Sequence, residues 1–135
     1  MKIIGKSVIP RNARAIIAFS AKANNSKDTY ATMNVLYHND WYAHISDNHI
    51  IIDIPGTYGL RYFVRGGYEA NGNTCNATFD FRKNNSTIYT YTGASLANNQ
   101  VTFTLAQGDN LYGRVKPVGY ANTVGAYYWL MYGGL

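Results

Sequence analysis

Strict alternation of apolar and polar residues constrains this chain more than any other feature. Tyr58, Leu60, Tyr62 and Val64 share one face of a segment whose other face carries Arg61 and Arg65. Cys75, Ala77, Phe79 and Phe81 likewise oppose Asn76, Thr78, Asp80 and Arg82, and Val101, Phe103 and Leu105 oppose Thr102 and Thr104. A period of two belongs to a pleated strand with one face in a core and the other in water. No window carries a helical period. Strand-forming runs recur about every eight to twelve residues between turn residues, the pattern of an antiparallel sandwich or barrel. Strands are predicted over residues 13–23, 32–37, 42–45, 49–53, 57–65, 75–82, 87–91, 101–105, 110–116 and 126–132. The three alternating segments read as strands of the outer sheet of a two-layer fold.

Composition agrees and narrows the function. At 135 residues the chain is read as a single domain, and 15% aromatics with 13 Tyr and 13 Gly suit strands and tight turns. The net charge of +5 is local: Lys2, Lys6, Arg11, Arg14, Lys22 and Lys27 precede the first acid, Asp28, and the rest of the chain is near neutral. Residues 1–12 therefore form a basic segment, read as an attachment end. The charges are too sparse, and the run Ala15–Phe19 too apolar, for a polybasic arm, so nucleic acid is not an expected partner. Cys75 has no cysteine to pair with and no zinc-ligand spacing around it. Met1-Lys2-Ile3-Ile4 opens like a signal peptide, but Gly5, Lys6, Ser7 and Pro10 interrupt it. No stretch is apolar enough to insert in a membrane as a helix. Cytoplasmic synthesis is expected.

Two segments break the alternation: Ala15-Ile16-Ile17-Ala18-Phe19 and Ala126-Tyr127-Tyr128-Trp129-Leu130-Met131-Tyr132. Apolar residues on both faces call for cover on both faces, and a two-layer chain of this size supplies only one. The second cover is expected from another subunit, across Ile16, Ala18, Tyr127, Trp129 and Met131. Loops of the same chain are the competing cover.

The order of several short signatures resembles a known family. Ala18-Phe19-Ser20-Ala21 is similar to the opening of C1q-like globular domains. Val35-Leu36-Tyr37-His38-Asn39-Asp40-Trp41-Tyr42 resembles their strand that ends in Asn before an aromatic. Ile51-Ile52-Asp53-Ile54-Pro55-Gly56-Thr57-Tyr58 resembles their Pro-x-Gly-x-Tyr corner without its spacer, and Val101 to Asp109 their apolar strand closed by Gly-Asp. The resemblance runs from about Ile17 to the end, with Leu60 where the family often has Phe and Tyr128-Trp129-Leu130 where Ser-Gly-Phe is common. It implies an all-β, two-sheet antiparallel jelly roll of about ten strands, C1q/TNF-like, assembled as a homotrimer through the sheet that holds the first and last strands.

Chemistry-bearing residues cluster around Trp41. His38, His44 and His49 suit zinc or manganese by type, but they show no compact ligand spacing, and no metal is assigned. Asp40, Trp41, Tyr42, His44 and Asp47 read instead as a saccharide surface, where rings stack on a pyranose and polar groups meet its hydroxyls. Trp41 reads equally well as core. A second candidate surface pairs Tyr68, in the Gly66–Asn73 loop, with Tyr120. No nucleophile elbow, phosphate loop or pair of Glu carboxylates is present, since Glu69 is the only Glu. Neither catalysis nor a cofactor is expected.

The expected function is thus a non-enzymatic trimeric head of a bacteriophage tail fibre or baseplate that binds host-surface saccharide and other virion proteins, localised to the virion. A head fibre or decoration protein, or a spore- or cell-surface head without sugar binding, is the alternative. A capsid protein using its basic segment on nucleic acid is a third class.

Overall fold

The computed structural model describes residues 16–23, 30–37, 42–69, 71–94, 99–119 and 124–133, with residues 16–23, 36, 37 and 99 described by their backbone. Among the described residues all elements are strands: β1 (Ile16–Ala23), β2 (Ala31–Thr32), β3 (Asn34–Tyr37), β4 (Ala43–Ser46), β5 (His49–Ile52), β6 (Gly56–Arg65), β7 (Gly67–Tyr68), β8 (Thr74–Cys75), β9 (Ala77–Lys83), β10 (Ser86–Gly93), β11 (Asn99–Leu105), β12 (Asn110–Pro117) and β13 (Val124–Tyr132).

Two antiparallel sheets face each other. The first has the order β11-β6-β13-β1-β3, and the second β10-β9-β12-β5-β4, with β2 on the edge of β12 beyond β5. The small β7-β8 pair stands apart. Non-consecutive neighbours and alternating sheets give the jelly-roll winding expected from the sequence. One placement is corrected. The segments around Tyr58–Val64 and Val101–Leu105 are not in an outer sheet opposite the first and last strands: β6 and β11 share the sheet of β1 and β13. Alternation reports one buried face, but it does not say to which sheet a strand belongs.

The core lies where the period-two pattern put it. Tyr58, Leu60, Tyr62, Val64, Val124, Ala126, Tyr128 and Leu130 of the first sheet meet Ile50, Ile52, Phe79, Phe81, Leu111 and Val115 of the second, all buried. Rings interlock across the gap, with Tyr62 on Phe79 (centroids 5.5 Å) and Phe81 edge-on to Tyr128 (5.2 Å).

Local chemistry fixes the connections. Both two-residue hairpins place their turn residues at positive φ, Asp47 (51°) and Asn48 (61°) between β4 and β5, Asn84 (51°) and Asn85 (67°) between β9 and β10. Asp and Asn tolerate that region, and the resulting turn matches the twist of paired strands. Asn48 also ties down the chain where it passes from the second sheet to the first: its Oδ1 accepts from Val35 N (3.1 Å) and its Nδ2 donates to Met33 O (3.3 Å). At the Ile54-Pro55-Gly56 corner Tyr58 turns back into the core, and its hydroxyl donates to Ile54 O (2.7 Å). At the end of β11, Asp109 Oδ2 accepts from Ala106 N (2.8 Å) around Gly108 at φ 88°.

Candidate recognition surfaces

A two-layer sandwich buries one face of each sheet and leaves the other to be explained. On the first sheet, β13 is central, between β6 and β1. Its residues Val124, Ala126, Tyr128 and Leu130 point into the core, so Tyr127, Trp129 and Met131 occupy the outer face. Tyr127 is 44% exposed in the single chain. The register sets Phe63 opposite Tyr127 and Arg61 opposite Trp129, and the Phe63 and Trp129 rings pack edge to face at 5.2 Å. Arg61 Nε is buried there with no hydrogen-bond partner among the described residues. On the far side of β13, Ile16 is opposite Met131 and Ala18 opposite Trp129, so the five expected interface positions lie on one face of one sheet.

Of the sequence-derived saccharide cluster the structure describes Tyr42, His44 and Asp47. Asp40, Trp41 and Tyr120 lie outside the described residues, as does His38. Tyr42 is corrected: it is 1% exposed, stacked on Tyr132 at 4.3 Å with planes 7° apart, and it belongs to the core. The Asp53–Ile54 corner folds back over it, with Asp53 N and Ile54 N both donating to Tyr42 O (2.8 and 3.0 Å). His44 remains exposed and bonds through Nδ1 to the Asp53 carboxylate (2.9 Å). Asp47 is exposed at its hairpin turn.

Tyr68, 60% exposed on β7, is at the opposite end of the sandwich. Its hairpin meets the chain just after β12, where Val118 N donates to Asn76 O and Gly119 N to Cys75 Sγ. His44 and Asp53 lie near the start of β12, where Ile52 N donates to Asp109 O. The eight residues of β12, at about 3.3 Å each, separate the two ends. His44 and Tyr68 therefore belong to two surfaces. His49 is diagonal to His44 in the β4–β5 register, stacked on Tyr112 at 4.5 Å and bonded to Asn110 Oδ1 (2.7 Å). Among the described residues no group of His, Cys, Asp and Glu is placed to hold a metal.

The outer face of the second sheet forms a further surface, which sequence reading left unassigned. Cross-strand register builds it in rows: Thr92, Thr78 and Lys116; Thr90, Asp80 and Arg114; Thr87, Arg82 and Tyr112. Asp80 is nearly buried at its centre, where Arg114 donates to Oδ2 (Nε 3.2 Å, Nη2 3.1 Å) and Thr90 to Oδ1 (2.6 Å). Burial by itself would raise the Asp80 pKa, but hydrogen bonds from Thr90, Tyr30 and Arg114, with the charge of Arg114, outweigh it and hold the carboxyl below its ordinary value. The Arg114 guanidinium lies 3.8 Å over the Tyr30 ring, with the Lys116 ammonium at 4.9 Å. Arg82 donates to Tyr112 OH, Thr87 Oγ1 and Asn85 O. The alternating polar positions of the two strands were visible in the sequence, but nothing in it said that the strands pair.

Comparison with known proteins fits this geometry. No family model matches the chain, and no curated protein matches it in sequence. Its fold is similar to that of murine APRIL (TM-score 0.52, 10% identity, covering 85% of this chain and 98% of that one). It is also similar to the PRD1 vertex protein P5 (TM-score 0.55, 10% identity, 86% and 95%). The fold is a TNF-like jelly roll. The globular domain of zebrafish complement 1qA aligns at a TM-score of 0.48 over 84% of this chain and 94% of that one, with 12% identity. At these identities the likeness is one of chain winding, and the surface chemistry is this chain's own.

Proposed function

We propose that this chain is a non-enzymatic recognition head that acts as a homotrimer, is carried on a virion and binds host-surface saccharide. The observation that carries the assembly is the outer face of the first sheet, where Phe63, Tyr127, Trp129 and Met131 form a continuous apolar strip. Such a strip on a sheet with no third layer among the described residues marks an interface. The buried Arg61 Nε beside it needs an acceptor that the described residues of the chain do not provide. Identical strips close around an axis when the copies are related by rotation, and repetition of a weak site on each copy raises avidity for a dense glycan array. Residues 1–135 act as one head, with residues 1–12 as its attachment end. The saccharide reading rests on the exposed polar and aromatic groups of the described residues, His44 near one end of the sandwich, Asp47 at the β4–β5 turn and Tyr68 at the other end, with Asp40, Trp41 and Tyr120 joined to them by sequence position only.

A second reading has its own support. The fold is shared with a phage vertex protein, P5 of PRD1, which favours a structural virion role for the same trimer. Light scattering at micromolar concentration tests the assembly: wild type runs as a trimer and Trp129→Glu as a folded monomer, whereas a monomeric wild type overturns it. A glycan array separates the two roles. A recognition head binds saccharide and weakens with Tyr68→Ala or His44→Ala; a cement binds virion protein and no sugar.

A further inference from the structure

We infer that the outer face of the second sheet is a binding surface for an acidic polysaccharide, a linear sugar chain with repeating carboxylate, sulfate or phosphate groups. The inference takes its ligand class from the saccharide reading above but places it on residues which that reading does not use.

Charge complementarity is the first argument. Among the described residues of β9, β10 and β12, the face carries Arg82, Arg114 and Lys116 with one acid, Asp80, which is buried beneath its hydrogen bonds from Thr90 and Arg114. The cations are spaced by the sheet itself. Arg114 and Lys116 are two positions apart on β12, about 6–7 Å along the strand, and Arg82 lies diagonally from Arg114, about 7–8 Å away. A linear chain with repeating acidic groups can reach several of them at once through charge-assisted hydrogen bonds, while a neutral chain makes weaker hydrogen bonds to the same donors.

Preorganisation is the second argument. The Tyr30 ring supports both Arg114 and Lys116. Tyr112, itself stacked on His49, together with Thr87 and Asn85, holds Arg82. Cations already fixed in place lose little side-chain freedom on binding. Beside them run Thr78 and Thr92, joined by their hydroxyls at 2.9 Å, in position for sugar hydroxyls. Three cations give a short footprint compared with the six to ten phosphate contacts of strong duplex binding, which favours a sugar chain over nucleic acid. The face is also opposite to the proposed assembly face, so every copy in a trimer presents it outward.

The test measures binding of the full chain to immobilised polygalacturonate, heparin, neutral dextran and duplex DNA at physiological salt. Binding to at least one of the two acidic polysaccharides, with neither dextran nor duplex DNA bound as tightly, is the expected result. Comparing the two separates carboxylate from sulfate recognition. Arg82→Gln and Lys116→Gln should each weaken it by about tenfold, and Lys2→Gln with Lys6→Gln should leave it unchanged. Circular dichroism and light scattering confirm that the variants keep the wild-type fold and assembly. The inference is overturned if neither acidic polysaccharide is bound, if the Lys2/Lys6 variant loses binding while the Arg82 and Lys116 variants keep it, or if DNA is bound as tightly as the polysaccharide. Equal retention on dextran also overturns it but leaves the recognition reading standing.

Discussion

Arg114 lies directly across from Asp80 on the neighbouring strand and donates two guanidinium nitrogens to one carboxylate oxygen, at 3.1 and 3.2 Å. Thr90 takes the other oxygen from the opposite side, so the three strands at one edge of the second sheet are clamped through a single side chain. Asp80→Asn should lower stability at neutral pH by about 2 kcal/mol, the range for hydrogen bonds to a charged group. Urea unfolding of the two proteins measures the difference.

The same carboxyl sets an acid limb. Its pKa is held below the ordinary value in the folded chain, so the unfolded chain takes up the proton first as pH falls. The stabilisation is complete above the usual carboxylate pKa of about 4 and is lost as pH drops through the lower folded value. The gap between wild type and Asp80→Asn should therefore narrow as pH falls below the usual carboxylate pKa of about 4. A gap that widens there contradicts the assignment.

Tyr42 tests the correction to the saccharide cluster. As a core ring stacked on Tyr132, its replacement by Ala should cost about 3–5 kcal/mol. A binding residue at the surface would cost little stability, and thermal unfolding separates the two.

Gly113 marks a close approach. A Cβ there would stand 2.4 Å from Tyr128 Cε2 and 2.9 Å from Met33 Sδ. Gly113→Ala should destabilise by about 1–3 kcal/mol by displacing a core ring, and combining it with Tyr128→Phe, which leaves Cε2 in place, should not relieve the loss. Differential scanning calorimetry of the single and double variants reads this.

Asn48 serves both a turn and a crossing. Asn48→Gly keeps the positive φ but drops the bonds to Val35 N and Met33 O, whereas Asn48→Ala loses both. Ala should cost about 1–2 kcal/mol, and Gly less than Ala but more than zero. Equal stability of Gly and wild type in urea melts would show that the side-chain bonds contribute nothing.

Much of the fold was legible because its signals are local. Alternation in Tyr58–Val64 and Cys75–Phe81 gave the buried face, and Pro55-Gly56 gave the corner. The two-sided run Tyr127–Tyr132 gave the strand with an unpartnered face. Tyr42 departs from the surface expectation because a polar neighbourhood in sequence, Asp40 to Asp47, says nothing about the corner that folds over the ring. The basic face of the second sheet was missed for the complementary reason: Arg82 and Arg114 are ordinary solvent-side residues until β9 and β12 pair.

That this chain forms sheets, which residues of each alternating strand are buried and where the turns fall are all written into its residue order, since period and turn chemistry act over a few bonds. Which strand pairs with which, and so which side chains from distant segments share a surface, was decided only by tertiary structure. Register is a cooperative property of both sheets closing on one core, so the clamp of Asp80 by Arg114 and Thr90 exists only after the jelly roll has wound.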